Sequence, residues 1–383
     1  MTTTARTVSR DERGMSLVFV GLGFMAFVAA TMLAIDVGML MTARSQAQNA
    51  ADAGAHAGAV ALAFDDYNNR SSAGPAVQNA LARARANQVM RSVVSVTPAD
   101  VEFLNDPTGE PNRVKVTVHR ATQRGNPLPL IIAPLFGIAR ADIHATATAE
   151  ASPADIIDRC FPFTIPDKWD ERNDPPFNSE TSTYDLDDSP KDRYIPVGEE
   201  GYLGYNAETD KGSLIILKTD NLSKVSPSIY NPITVPSPLD ASTTGAARYR
   251  ASIVAGRCAT FPWGSMMVPE PGMMTGPTKQ GIEDLIALDR NARWDEDCEC
   301  VVGSTNPDRP RIGGIPLYDP HFYETGKQNG RNADFRVANF IGVFIEGMRG
   351  NEVMARIVPI GGRRSGSGGI PGAMFPKAIR IVE

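Results

Sequence analysis

The fold is decided by residues 15–64, MSLVFVGLGFMAFVAATMLAIDVGMLMTARSQAQNAADAGAHAGAVALAF, which begin apolar and continue as an alanine-rich stretch with polar positions. Met15 to Ile35 contains no charged residue. A helix of about 20 apolar residues crosses the roughly 30 Å hydrocarbon core of a bilayer, so we predict a transmembrane helix at 15–35. The run is longer than the roughly 7–15-residue apolar core of a cleaved secretory signal, so we expect the anchor to be retained.

The transmembrane helix is predicted to continue without a break through residues 36–64 as a stalk, with Asp36 as the polar residue that ends the span. Small and apolar residues recur there at helical spacing between polar ones, and one uninterrupted helix would be about 75 Å long. Gly54 and Gly58 form a small-x-x-x-small pair, which lets another helix approach closely. That helix belongs either to another chain or to the protein's own head, and the sequence leaves both open.

Residues 65–150 are predicted to form a small α+β head. Turn residues at 65–75 end the long helix, and local patterns then predict a helix, an antiparallel pair of strands, a short helix and a third strand. In order, these elements are Ala76–Met90, Val93–Phe103 with Arg113–Arg120, Ile131–Ile138 and Ala141–Ala149. The fold class expected for the whole chain is therefore α+β.

Residues 151–383 are predicted to form a loop-rich, β-dominated second domain that ends at the C-terminus. Gly276–Arg293 has the partial apolar stripe of a helix, and Gly350-Asn351 reads as a hairpin turn between two strands. The predicted strands are Gly201–Tyr205, Ser213–Thr219, Ile312–Tyr318, Asp334–Gly347 and Val353–Ile360.

The charged residues indicate which partners the protein can bind and how the chain is oriented in the membrane. The net charge is −6 and the sequence has no block of basic residues, so we expect no nucleic-acid partner. Arg6, Arg10 and Arg13 precede the span, and arginine and lysine mark the cytoplasmic side of a membrane. Residues 1–14 are therefore predicted to be cytoplasmic, and everything after the span is predicted to be exported.

Four cysteines, Cys160, Cys258, Cys298 and Cys300, lie in the part predicted to be exported, where disulfides form. The single residue between Cys298 and Cys300 is an awkward closure for a disulfide, so we expect one or both of them to pair with Cys160 or Cys258. Three pairings are open. Zinc is the competing use, but paired Cys-x-x-Cys or Cys/His motifs are missing.

Two acidic clusters are the remaining candidates for chemistry. Asp185, Asp187 and Asp188 offer the oxygen ligands that calcium accepts, but an EF-hand pattern is missing, and a solvated acidic loop is the favoured interpretation. The second cluster, residues 295–299, surrounds Cys298, and nothing in the sequence fixes its carboxylates at catalytic distances. Because no nucleophile motif, zinc motif or acid pair can be placed, we expect a protein that is not an enzyme and that uses no metal and no cofactor.

The N-terminal region resembles the module of TadG-like Flp (tight adherence) pilus-assembly proteins, the TadE/TadG-like N-terminal module. The resemblance is carried by Arg13-Gly14 before the span, Ala34-Ile35-Asp36-Val37-Gly38 at its end and Gln48-Asn49-Ala50-Ala51-Asp52-Ala53-Gly54-Ala55 beyond it. It covers roughly residues 12–64 and looks similar as far as about Glu150. The rest of the chain resembles the exported half of such proteins only loosely.

The resemblance implies a membrane-anchored, pilin-like or assembly component of the machine that builds Flp pili, placed in the bacterial inner membrane with its C-terminal domains in the periplasm or exported. The implied partners are the membrane, other pilus-assembly or pilin-like proteins, and further copies of the chain through the N-terminal helix. Gly14 matches the glycine at which prepilin peptidases cut, although Phe19 stands where their substrates have glutamate; Gly14 is therefore either a processing site or only the membrane boundary. The alternative is an anchored, exported adhesin or a calcium-dependent binding protein.

Overall fold

The computed structural model describes residues 13–218, 225–235, 245–257, 262–328, 333–365 and 370–382. The α-helices of these residues are α1 (Arg13–Phe64), α2 (Pro75–Ala86), α3 (Gly245–Ala255), α4 (Thr275–Ala287) and α5 (Pro320–Thr325). The strands of the N-terminal half are β1 (Gln88–Val89), β2 (Ser92–Val93), β3 (Val101–Leu104), β4 (Arg113–Arg120), β5 (Leu128–Pro129), β6 (Arg140–Ala141), β7 (Ile143–Pro153) and β8 (Phe163–Pro166). The remaining strands are β9 (Leu214–Leu217), β10 (Asn231–Thr234), β11 (Met266–Pro269), β12 (Arg293–Asp295), β13 (Cys300–Val302), β14 (Ile312–Tyr318), β15 (Phe335–Arg349), β16 (Glu352–Ile357) and β17 (Lys377–Ile381).

Helix α1 is one uninterrupted helix, as predicted. It runs from Arg13 to Phe64 through residues that are mostly good helix formers, with alanine dominating the second half. The helix ends where Asp66 begins an Asx turn, its carboxylate accepting the backbone N–H groups of Asn68 and Asn69. Pro75 then starts α2 at a first-turn position, where its missing N–H is not needed.

A four-stranded antiparallel sheet, in the order β17-β7-β4-β3, supports the second half of α1, and α2 packs along that half. Strand β4 alternates strictly, with Val114, Val116 and Val118 fully buried beneath the helices. The alanines of α1, α2 and β7 complete this core. The predicted head is therefore an α+β layer, and residues 36–64 form its central helix.

The C-terminal strand differs from the prediction. The second domain was expected to run to the end of the chain, but β17 pairs with β7, placing Ala378 opposite Ser152 and Ile381 opposite Ala149. Ile379 packs against the core of the first sheet. The last strand is thus part of the N-terminal sheet, and the chain crosses between the two units twice.

The second unit is a seven-stranded sheet in the order β11-β10-β8-β14-β15-β16-β9. Strand β11 also pairs with β15, which closes the first five strands into a small barrel. The pairs β14–β15 and β15–β16 are antiparallel, whereas β8 is parallel to β14. The predicted hairpin is confirmed, since Arg349 and Glu352 pair across a turn in which Gly350 has a φ of 64°.

A buried carboxyl group, Asp167, holds a long loop of the barrel unit. The hydroxyls of Tyr194 and Tyr202 donate to its Oδ2 at 3.0 and 2.9 Å, and the backbone N–H groups of Tyr205 and Lys168 donate to its Oδ1 at 3.1 and 2.9 Å. Burial raises the pKa of Asp167 to about 6, outweighing the four hydrogen bonds, which lower it. Local sequence patterns do not distinguish this residue from the other aspartates.

The Asp167 network also explains one wrong prediction. Gly201–Tyr205 was expected to be a strand, but its backbone adopts an irregular conformation. The N–H of Tyr205 and the hydroxyl of Tyr202 bind the buried carboxylate in place of a neighbouring strand. A local apolar pattern cannot reveal such a distant acceptor.

Because the pKa of Asp167 is raised in the folded state, the folded protein holds this proton at pH values where the unfolded chain, with a pKa near 3.9, has lost it. The contribution of Asp167 to stability is therefore complete below about pH 4 and is lost as the pH rises through about 6. Relative to Asp167→Asn, which cannot titrate, the wild type should lose about 2 kcal/mol between pH 4 and pH 7. Urea unfolding followed by tryptophan fluorescence measures this difference.

The matched control for this prediction is Asp188→Asn, because Asp188 is exposed. Its unfolding free energy should follow that of the wild type at every pH. A difference between wild type and Asp167→Asn that does not change with pH would contradict the assignment.

Candidate membrane anchor and packing surface

The first half of α1 exposes its apolar side chains over its whole circumference. Leu17 is 77% exposed, Phe24 67% and Phe27 70%, and none of the most apolar window of this helix, with a mean hydropathy of 2.4, is buried in the protein. Its length and composition are sufficient to cross a membrane. This segment is a candidate membrane anchor, because water is a poor environment for a continuous apolar surface of this size.

The second half of α1 is buried in the head. Its inward positions are all fully or almost fully buried, namely Ala43, Ala47, Ala50, Ala51, Ala55, Ala59 and Leu62. Helix α2 packs along one side of α1, and strands β4 and β7 lie beneath it. The side chains of this one helix are therefore exposed in its first half and largely buried in its second half, and the change occurs between Asp36 and Ala43.

Gly54 and Gly58 lie where α1 approaches α2 and β4 most closely. A Cβ atom on Gly54 would lie 3.0 Å from the Cβ of Ala84, and one on Gly58 would lie 2.8 Å from Cγ1 of Val114. The expected close contact exists, but the helix involved is α2 of the same chain. Of the two alternatives that the sequence left open, the structure therefore has the glycines packed within the protein's own head, where both are buried.

Asp36 does more than end the span, because its side chain also binds a loop of the head. Its side chain is buried, with Oδ1 accepting the backbone N–H of Ile131 at 2.9 Å and Oδ2 accepting those of Ile132 and Ala133 at 3.0 and 2.6 Å. Desolvation raises the pKa of this carboxyl, but the three backbone hydrogen bonds outweigh it, so the pKa is below its usual value. We call this arrangement the Asp36 contact.

The Asp36 contact joins α1 to a short loop of the head. The loop lies between β5 and β6 and contains the 3-10 helix Ala133–Phe136, and the donors to Asp36 are the first N–H of this helix and the two N–H groups that precede it. A carboxylate at the start of a helical turn satisfies N–H groups that have no partner within the turn. Local sequence predicted a short helix here but could not show that Asp36 binds it, because the two are about a hundred residues apart.

The other N-terminal site residue, Gly14, lies in the first turn of α1, which begins at Arg13. Its role as a processing site or as a membrane boundary stays a prediction.

Cys298 and Cys300 form a disulfide with each other, which corrects the expectation that one or both would reach Cys160 or Cys258. Their Cα atoms are 5.2 Å apart, within the range of about 4.4–6.8 Å that disulfides require. Glu299 between them has a φ of 46°, and this left-handed conformation brings the two side chains to the same side at the end of the β12–β13 hairpin. Cys160 is also disulfide-bonded, and Cys258 lies outside the described residues.

The acidic loop proposed for calcium is folded around its own backbone. Oδ1 of Asp185 accepts the N–H groups of Asp187 and Asp188 at 2.9 and 3.2 Å, and Asp192 accepts the N–H groups of Asp185 and Arg172, each at 2.8 Å. Within the described ranges, no group of three or more His, Cys, Asp or Glu side chains is placed to hold a metal ion. Asp187 and Asp188 are exposed, as expected for a solvated loop.

The far end of α1 meets the barrel unit at a cleft of about 570 Å³. Lys211 donates to the backbone carbonyl of Asp65 at 2.9 Å across it. Glu208 and the acidic hairpin tip at 296–299 also line this cleft. The end of α1 is thus fixed to the second unit by a charged side chain.

Comparison with known families matches one part of the chain. Residues 14–61 match the family model described as "Putative Flp pilus-assembly TadE/G-like". The match covers α1 alone, and it agrees with the resemblance seen in the sequence. No curated protein and no solved structure shows significant similarity to the chain. The N-terminal module is therefore TadE/G-like, which supports a role related to Flp pilus assembly in general.

Replacing Gly58 by alanine should destabilise the head, because the new methyl group would lie 2.8 Å from Val114 and 3.3 Å from the carbonyl of Ala76. Overpacking of this kind typically costs about 1–3 kcal/mol. Gly38→Ala is the matched control, because nothing lies within 4 Å of its Cβ position and alanine is the better helix former. Urea unfolding of the detergent-solubilised chains compares the two. Equal stability of both variants would contradict the described packing.

Proposed function

We propose that this protein is a non-enzymatic, membrane-anchored structural component of a Flp-type pilus-assembly machine. One observation carries the proposal, namely the continuous helix α1, whose first half is exposed and apolar and whose second half is the central helix of the head. The TadE/G-like match covers this same element. An apolar helix inserts stably in lipid because its backbone hydrogen bonds are satisfied internally.

The head then lies at a fixed distance from the bilayer. Because α1 does not end at the membrane, no flexible linker separates the span from the folded domain. We place residues 1–14 in the cytoplasm and the two folded units on the outer face of the bacterial inner membrane, following the arginines before the span. A protein built in this way transmits any movement of its span directly to its head.

Partner proteins would bind the membrane half of α1, because the second half is already covered by α2 and the sheet. Small residues, Ala26, Ala30, Ala34 and Gly38, recur every fourth position along this half, and nothing lies within 4 Å of the Cβ position of Gly38. Such a face permits close helix packing in lipid, where van der Waals contact drives association. Pilin-like proteins or further copies of this chain are the proposed partners.

The alternative function, an anchored adhesin, uses the same helix only as an attachment. The two functions differ in whether the sequence of the span matters, since an attachment requires apolar residues and a packing surface requires particular ones.

Replacement of Met15–Ile35 by an unrelated apolar span of equal length separates the two functions. In cells that lack the native gene, the native chain should restore Flp pili, whereas the exchanged chain should be anchored and folded but fail to restore them. Electron microscopy counts the pili, and membrane fractionation with immunoblotting confirms equal anchoring. Full restoration by the unrelated span would reduce α1 to an attachment, and normal pili without any copy of the chain would refute the assembly role.

A further inference from the structure

The loop that the Asp36 contact holds is itself apolar and exposed. Between Asn126 and Arg140 the sequence PLPLIIAPLFGIA contains no charged residue. Ile131 is 64% exposed and Ile138 is 58% exposed. Two exposed large aliphatic side chains on one short uncharged loop form the kind of apolar patch that marks a protein or membrane contact. We call residues 130–139 the apolar loop.

The Asp36 contact fixes the depth of this loop relative to the span. If the hydrocarbon core begins near Met15, a thickness of about 30 Å is crossed by about 20 helical residues, so α1 leaves the core at about Asp36. The interfacial layer adds roughly 5–7 Å on each side, or four to five further residues of helix. The apolar loop is bound to Asp36 and therefore lies at the level of this layer.

The exposed surface of α1 agrees with this depth. Beyond Asp36, Val37 is 41% exposed and Met41 is 67% exposed, so the apolar surface of the helix extends past Asp36. The next charged residue of α1 is Arg44, which is exposed and lies about 12 Å further along the helix. Arg140, at the end of the apolar loop, is also exposed. An arginine at the end of the apolar loop suits the phosphates of lipid headgroups, and Arg44 lies beyond the interfacial layer, in water.

We propose that the apolar loop inserts into the interfacial layer of the leaflet from which α1 emerges, as a second membrane contact of the head. The proposal rests on the anchoring role of α1 given above. Lipid is the occupant because Asp36 joins the loop to the span at the level where the bilayer ends, and because exposed apolar residues of α1 lie at the same level. The contact, displaced sideways from the helix axis, restricts the tilt of the head against the membrane. Shallow insertion of apolar side chains of this kind is typical of interfacial segments.

Fluorescence quenching of the full chain in vesicles of phosphatidylethanolamine and phosphatidylglycerol tests the proposal. A nitrobenzoxadiazole label is attached without reductant to Ile131→Cys or Ile138→Cys, and wild-type chain treated with the label gives the blank. Lipids that carry a nitroxide near the headgroup should quench both labels several-fold more strongly than they quench Leu104→Cys. Aqueous iodide should show the reverse order.

Leu104→Cys and Leu33→Cys are the two controls. Leu104 is exposed at the far end of the first sheet, in β3 opposite Arg113, beyond the level of Gly58 and hence more than about 30 Å from Asp36 along α1. Leu33 lies in the span and reports whether α1 is inserted at all. If Leu33 is quenched by lipid while Ile131 and Ile138 behave like Leu104, the proposal is overturned and the anchor stands. If Leu33 is not quenched by lipid, the anchor itself is refuted.

A label that is protected from both iodide and lipid would show that protein covers the loop, which also overturns the proposal. Asp36→Ala tests the positioning of the loop, since it removes the acceptor of three backbone N–H groups. In this variant, iodide quenching at Ile131→Cys should rise several-fold while the labels at Leu33 and Leu104 stay unchanged. Asp36→Asn keeps one acceptor oxygen, so iodide quenching at Ile131→Cys in this variant should lie between the values for native Asp36 and for Asp36→Ala. Unchanged quenching in Asp36→Ala would show that the Asp36 contact does not hold the loop in the membrane.

Discussion

The structure depends on one constraint, the continuity of a single helix through two environments. Among the described residues, nothing buries the most apolar window of the first half of α1, and full burial of each large apolar side chain is worth about 1.5–3 kcal/mol. The second half obtains its burial from α2 and the four-stranded sheet. Because the same backbone hydrogen-bond ladder runs through both, neither half can move without the other.

Small residues allow this arrangement on the head side. Alanine and glycine bring α1 close to α2 and β4, so the contact consists of many short approaches between backbones and methyl groups instead of large interlocking side chains. Asp36 then connects the head to the membrane end of the helix through three backbone N–H groups. The head therefore contacts α1 along the second half of the helix and at Asp36, where the span ends.

Elements with strong local patterns could be predicted from sequence. The continuous helix followed from composition and spacing, β14 from its apolar run, and the β15–β16 hairpin from its alternating residues and Gly350. Short strands containing proline, such as β8 and β10, were missed, because proline argues locally against a strand. These strands form because their remaining backbone N–H and C=O groups hydrogen-bond to neighbouring strands of the barrel.

The site was predictable only in part, since its key contacts join distant segments. The sequence identified Asp36, Gly54 and Gly58 as important positions, but not the loop that Asp36 binds or the helix that the glycines face. It gave no indication that β17 would return to β7, because the choice of a strand partner is not local. The Cys298–Cys300 bond required the left-handed backbone of Glu299, which spacing alone does not reveal.

The continuity of α1 is tested most directly by the distance between two points on either side of Asp36. Spin labels at Leu17→Cys and Arg44→Cys, both exposed positions, would be measured by pulsed electron–electron double resonance in the membrane-reconstituted full chain. An unbroken helix predicts one narrow distribution centred near 40 Å. A broad distribution, or a main distance clearly below about 30 Å, would show that the helix bends or breaks where it leaves the membrane, and would contradict the account.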